Sequence, residues 1–157
     1  MPAIDCGEAV LKNARRLLDA ASQLGIAILF TEQNAQGLGP TVPELAVYAT
    51  RVVHKMTFDA VRVPEFLRAA PKDHVFVTAG CEAHVCVCQT VLGLRAAKRR
   101  VYIVRDAIGA RRAESKETAM RRMENHGAEI VTTEMVLFEW LETAEHRNFR
   151  QILRGIK

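Results

Sequence analysis

No apolar run in the 157 residues approaches the roughly 18 needed to cross a bilayer, and no basic segment followed by an apolar one opens the chain. Neither a membrane span nor a signal peptide is therefore expected, and the expected compartment is the cytoplasm. Aromatic residues make up only 6% of the chain, too few to interleave with basic residues as base-stacking platforms. The basic residues are themselves scattered, as Arg15-Arg16, Lys98-Arg99-Arg100, Arg111-Arg112 and Arg121-Arg122, and read as solvated helix faces and ends. The formal net charge of +4 thus argues for no nucleic-acid partner. The cysteines Cys6, Cys81, Cys86 and Cys88 lack the C-x-x-C or Cys/His spacing of a zinc site and read as reduced thiols. No metal and no cofactor are expected. Internal repeats, linkers and low-complexity segments are also missing, so residues 1–157 read as a single domain.

What is present is an alternation of helical and strand patterns. Val10, Ala14, Leu17, Leu18 and Ala21 recur at helical spacing, predicting a helix over 7–24 with Gly25 as its C-terminal cap and Asp5 with Glu8 as a capping box. Short apolar runs predict strands at Ile26–Thr31, Thr50–His54, His74–Ala79, Val101–Val104 and Glu129–Thr132. Helices are predicted near Pro64, from His84 to Lys98, from Ala113 to Asn125, from Thr133 and over the tail from His146. The helix from His84 is apolar almost all round, which implies packing on two sides. Met135, Phe138, Trp140 and Leu141 give the helix from Thr133 more apolar surface than a surface helix needs, which points to a homo-oligomer as readily as to packing on the sheet. Strand–helix alternation predicts an α/β fold, a doubly wound, mostly parallel sheet with helices on both faces.

The stretch HVFVTAGCEAHVCVCQ, His74 to Gln89, carries the chemistry. It predicts a buried strand that breaks at Gly80 and re-enters as a helix with Cys86 in its first turn. Unpaired N–H groups and the helix dipole favour an anion at such a position, so a thiol there tends towards thiolate, and the same donors can hold an oxyanion. The alternative is a cysteine serving as a small buried apolar residue. Lys55 stands at the end of the second predicted strand. It is either solvated or placed beside a cysteine on a neighbouring strand end, where its charge would favour the thiolate. The Gly- and Pro-rich loop from Asn34 to Glu44 suits a pocket wall.

Five segments taken together, TEQNAQGLGPTVPEL (Thr31 to Leu45), HKMTFDA (His54 to Ala60), GCEAHVCVCQT (Gly80 to Thr90), VRDAIGARR (Val104 to Arg112) and GAEIVTTEMVLFEWL (Gly127 to Leu141), resemble the isochorismatase-like cysteine hydrolases. The branch they match best contains the isochorismatase domain-containing proteins. The resemblance implies a three-layer α/β fold and a cysteine, lysine and aspartate triad acting on a small-molecule substrate, an amide or related C–N bond. By position, Cys86 matches the nucleophile and Lys55 the lysine. A cis peptide at Cys81-Glu82 is implied, with the backbone N–H groups of Glu82 and Cys86 facing the oxyanion. Glu32, Gln33 and Phe58 would line the substrate pocket. The loop from Glu32 to Glu44 contains no histidine, unlike the metal-binding nicotinamidase branch.

The family aspartate belongs to a first strand that precedes the first helix, and Asp5 does not match it. On this reading the first strand and the triad aspartate are missing, which would leave the edges of two mid-sheet strands uncovered. The start lies upstream, the gap is closed by strand exchange or subunit pairing, or the chain is an inactive scaffold of the same fold. Asp106, Glu32 and Glu82 are the carboxylates available to substitute, each with an ordinary turn or pocket role as its alternative.

Overall fold

The computed structural model describes residues 3–156. The apolar stripe of the first helix does what its spacing predicts: α1 (Gly7–Leu24) buries Val10, Ala14, Leu17, Ala20 and Ala21, and Gly25 ends it in the left-handed region at φ 69°. Its start differs from the expected capping box. Cys6 is the N-cap residue, in a left-handed conformation with no side-chain cap. The Asp5 N–H is committed to the Ala110 carbonyl at 3.0 Å, and the Gly7 N–H closes a turn onto Ile4. The segment before α1 is folded against the end of the fourth strand, and this holds Asp5 away from the cap position.

The strands are β1 (Phe30–Gln33), β2 (Val52–Lys55), β3 (Phe76–Cys81), β4 (Val101–Gly109) and β5 (Glu129–Val131), all in parallel pairs. Between them lie α2 (Ala35–Leu38), α3 (Pro43–Ala46), a 3-10 turn (Ala60–Arg62), α4 (Pro64–Arg68), a π turn (Ala83–Val87) running into α5 (Cys88–Ala96), and α6 (Ala113–Asn125). The chain closes with α7 (Thr133–Leu141) and α8 (Phe149–Ile156). Among the described residues no helix is long and apolar enough to cross a membrane.

Alternation along β4 builds two cores. Val101 and Ile103 turn to one face, where they meet Val91 and Leu94 of α5 and Met120 and Met123 of α6. Val104 turns to the other, with Leu17 and Ala20 of α1, Leu137 of α7 and Ile152 of α8. Helices thus cover both faces, as the strand–helix alternation predicts. The apolar girth of α5 is used against β4, against α6 and against the 3-10 turn, where Thr90 Oγ1 accepts the Ala60 N–H at 3.0 Å. On α7, Leu141 is buried and Trp140 is partly covered against the second core, so Met135 and Phe138 alone of the four remain exposed.

The sheet is divided. β1 pairs with β2, and β3-β4-β5 form a separate set. Among the described residues only β4 is paired on both sides, and it extends past its expected end to Gly109 through an irregular register opposite Thr78 to Gly80. Asp106 consequently lies within β4 rather than beyond it. No residue of β1 or β3 is fully buried, and Ile26 to Leu29, expected as strand, make no ladder. Arg99 also departs from its surface reading. It is buried, its guanidinium lies 5.0 Å from the Phe76 ring centre, and it donates to the carbonyls of Ala70, Pro71 and His74, fixing the loop before β3.

Phe30 and Phe76 donate their N–H groups to Arg51 and Arg100 at 2.9 Å, so parallel alternation turns those of Thr31 and Val77 away from β2 and β4. Amide hydrogen exchange should be about a hundredfold or more faster at Thr31 and Val77 than at Ile103 and Val104. Equal protection would show that both edges are covered.

Candidate active site

Three strand ends converge on one side-chain amide. Gln33 closes β1, Lys55 closes β2, and Cys86 sits in the π turn that follows β3. Lys55 is 5% exposed, an unusual position for an ammonium, and its Nζ donates to Gln33 Oε1 at 2.7 Å and to the carbonyls of Thr57 at 3.2 Å and Phe58 at 3.1 Å. Cys86 Sγ lies 3.8 Å from the same Gln33 Oε1, and Gln33 Nε2 donates to the Met56 carbonyl at 2.8 Å. The lysine is therefore not the solvated residue that a strand-end lysine usually is. Gln33, expected as pocket wall, holds the lysine and the cysteine to one oxygen. A cavity of about 460 Å³ opens beside Lys55, lined by Asn34, Ala35, Gln36, His54 and Met56.

The turn into α5 is tied down from β4. The Cys81-Glu82 peptide is cis, as the resemblance implies. The Glu82 carboxylate accepts from the Arg111 backbone N–H at 3.1 Å and is ion-paired with Arg111 Nε at 2.9 Å, with His84 Nδ1 at 3.8 Å. Burial pushes the Cys81 and Cys88 thiols up, which disfavours their thiolates. Phe58, expected in the pocket wall, contributes a carbonyl to Lys55 while its ring stands half exposed. Glu32 faces the loop after β1, where its Oε1 accepts from the Thr41 hydroxyl at 2.7 Å and the Thr41 N–H at 2.8 Å, and its Oε2 lies 3.3 Å from His54 Nδ1. The Thr41 hydrogen bonds, hydroxyl first, hold the Glu32 carboxyl below its ordinary range.

The isochorismatase domain model matches residues 3–135. The chain belongs to the isochorismatase family. It is 34% identical over 149 residues to isochorismatase domain-containing protein 2 of Xenopus laevis, covering 94% of this chain and 73% of that protein. Among solved structures it superposes on the MAR1 ribonuclease of Caenorhabditis elegans with TM-score 0.93 and 31% identity, covering 99% of this chain and 82% of that one. It also superposes on the YcaC gene product of Escherichia coli, described as an octameric hydrolase of unknown specificity, with TM-score 0.79 and 25% identity over 95% of this chain and 74% of that one.

Among the described residues of this isochorismatase-family chain, no carboxylate is hydrogen-bonded to Cys86 or Lys55. Asp106 Oδ1 instead accepts from the Thr133 N–H at 2.8 Å and the Thr133 hydroxyl at 3.0 Å, holding the first turn of α7. Glu32 is engaged by Thr41 and Glu82 by Arg111. Sequence reasoning missed two of the residues that organise the site, Thr41 and Arg111. Neither is a reactive type, and their partners lie 9 and 29 positions away, beyond any local pattern.

Because the folded Glu32 carboxyl sits below its ordinary value, its contribution to stability is full above the range where an unfolded glutamate titrates. It is lost as pH falls through that range to the lower folded value. Thr41→Val removes the hydroxyl hydrogen bond but keeps the backbone one, so it should move Glu32 part of the way back up and reduce this acid-side contribution. The check is an NMR titration of the Glu32 carboxyl in both forms, where an unmoved midpoint would show that Thr41 does not set it.

Proposed function

We propose that this isochorismatase-family chain is a hydrolase of small-molecule amides or related C–N bonds, with Cys86 as nucleophile and Lys55 as the positive charge that supports it. The observation that carries this reading is the shared Gln33 oxygen, which sets a buried ammonium and a cysteine sulfur side by side at the carboxyl ends of parallel strands. The sulfur attacks the carbonyl carbon, the C–N bond breaks, and the thiol proton ends on the leaving nitrogen. Water then cleaves the thioester, releasing the acid and restoring the thiol. The backbone N–H groups of Glu82 and Cys86 serve as the oxyanion donors, and Glu32, Gln33 and Phe58 bound the substrate.

A second reading is a scaffold of the same fold without turnover. It is favoured by one observation, that Asp106, Glu32 and Glu82 are each held by other partners, so that among the described residues no carboxylate is hydrogen-bonded to the cysteine or the lysine. Self-association fits either reading. The E. coli relative is described as octameric, and Met135 and Phe138 stand exposed on α7, so the mass in solution should exceed the 17.5 kDa of one chain.

Limited iodoacetamide near neutral pH, followed by peptide mass mapping, separates the readings. Cys86 should be labelled ahead of Cys81 and Cys88, whose thiols are pushed up by burial. Lys55→Ala or Gln33→Leu should slow labelling at Cys86 by about tenfold, and a small-amide screen should give ammonia or amine release that Cys86→Ala abolishes. Even labelling of all four thiols with no release would leave the scaffold. RNA binding that weakens steeply with salt, together with RNA cleavage, would instead point to the activity for which the C. elegans neighbour is named.

A further inference from the structure

Glu82 is unusual in having both ends of its chemistry committed to the turn that carries Cys86. Its carbonyl accepts the N–H groups of Val85 at 3.1 Å and Val87 at 3.2 Å, the two residues flanking the cysteine. Its carboxylate is gripped at both oxygens by one residue of the segment leaving β4, Oε1 by Arg111 Nε and Oε2 by the Arg111 backbone N–H. A displacement of the Glu82 side chain is therefore passed to the amides on either side of Cys86. The Glu82 side chain is 24% exposed and that of Arg111 is 61% exposed. An ion pair this open contributes little to global stability, so its value lies in geometry.

We infer that Arg111 is a positioning residue: through Glu82 it fixes the turn from Cys81 to Val87 and with it the placement of the Cys86 sulfur and the neighbouring N–H groups. Its relevance to catalysis rests on the reading of Cys86 as nucleophile, but its hold on the turn can be measured without any reaction. Arg111→Ala removes the guanidinium contact and leaves the backbone donor in place, so the fold persists. Arg111→Lys keeps a positive charge but changes the length and shape of the group that pairs with Glu82. The pair between Arg105 on β4 and Glu117 on α6, 2.8 Å apart and about half exposed on both sides, is a control of the same kind away from the turn.

Residue-resolved hydrogen exchange and the pH profile of Cys86 labelling by iodoacetamide should be compared across the parent chain, Arg111→Ala, Arg111→Lys, Glu82→Gln and Arg105→Ala. The expected result is exchange about tenfold faster at Val85 and Val87 in Arg111→Ala and Glu82→Gln, and intermediate in Arg111→Lys. Combining Arg111→Ala with Glu82→Gln should add little beyond either alone, because both cut the same link. Thermal midpoints should shift no more than in Arg105→Ala. The Cys86 labelling profile should change in the two turn variants and not in the control. Unchanged exchange at Val85 and Val87 in Arg111→Ala overturns the inference, as does faster exchange with an unaltered Cys86 profile. If Cys86 of the parent shows no preferential labelling, the nucleophile reading fails by itself, and the exchange data still decide whether Arg111 holds the turn.

Discussion

The arrangement depends on the two-sided commitment of β4. A parallel strand with apolar residues on both pleat faces is stable only when helices cover both, and β4 satisfies this by sending Ile103 to α5 and α6 and Val104 to α1 and α7. The neighbouring strands do not share this completeness. β1 and β3 each have one ladder partner among the described residues, and none of their residues is fully buried. The candidate site falls along this seam. Gln33 comes from the end of β1 and Cys86 from the turn after β3, so the 3.8 Å approach of Cys86 Sγ to Gln33 Oε1 is a contact between the two sets of strands. Whatever holds the seam together therefore also sets the distance between the lysine and the sulfur.

Much of this was legible in the residues. The α1 stripe, the β3-to-α5 turn and the alternation of elements follow from periodicity and glycine placement, because they are local. Strand limits were less legible, since a strand ends where its partner ends: Ile26 to Leu29 have strand composition without a ladder, whereas β4 runs on to Gly109 because β3 pairs with it there. The reading of Lys98-Arg99-Arg100 as surface failed at Arg99 for a related reason. Three carbonyls of one loop and an aromatic ring form a receptor for a guanidinium that no feature of the basic run announces. Asp5 looked like a cap because of its type and spacing, but a backbone bond to Ala110, more than a hundred residues away, decides its position.

Site residues divide along the same line. Lys55 and Cys86 were singled out by their reactive types and strand-end placement, and the resemblance gave them their expected roles. Gln33 was assigned a wall position, since nothing about a glutamine indicates that its oxygen will take two donors from different strands. Thr41 and Arg111 act on carboxylates rather than on substrate, and that role exists only once the chain is folded. Phe58 shows a related limit: the resemblance implied a pocket wall, and in the fold its carbonyl accepts from Lys55 while its ring stands half exposed.

The electrostatics of Lys55 bear on which functional reading is stronger. A buried ammonium is costly unless its donors are satisfied, and here three neutral oxygens satisfy them without neutralising the charge. A carboxylate in their place would cancel much of the field felt at the Gln33 oxygen and at the sulfur beside it. Neutral acceptors leave that field available to a group that becomes negative, and the sulfur of Cys86 is such a group. A purely structural role would be served as well by an apolar residue of similar length, at lower desolvation cost. The pattern of partners around Lys55 therefore argues for chemistry at Cys86, while Asp106, Glu32 and Glu82 each accept hydrogen bonds from other groups.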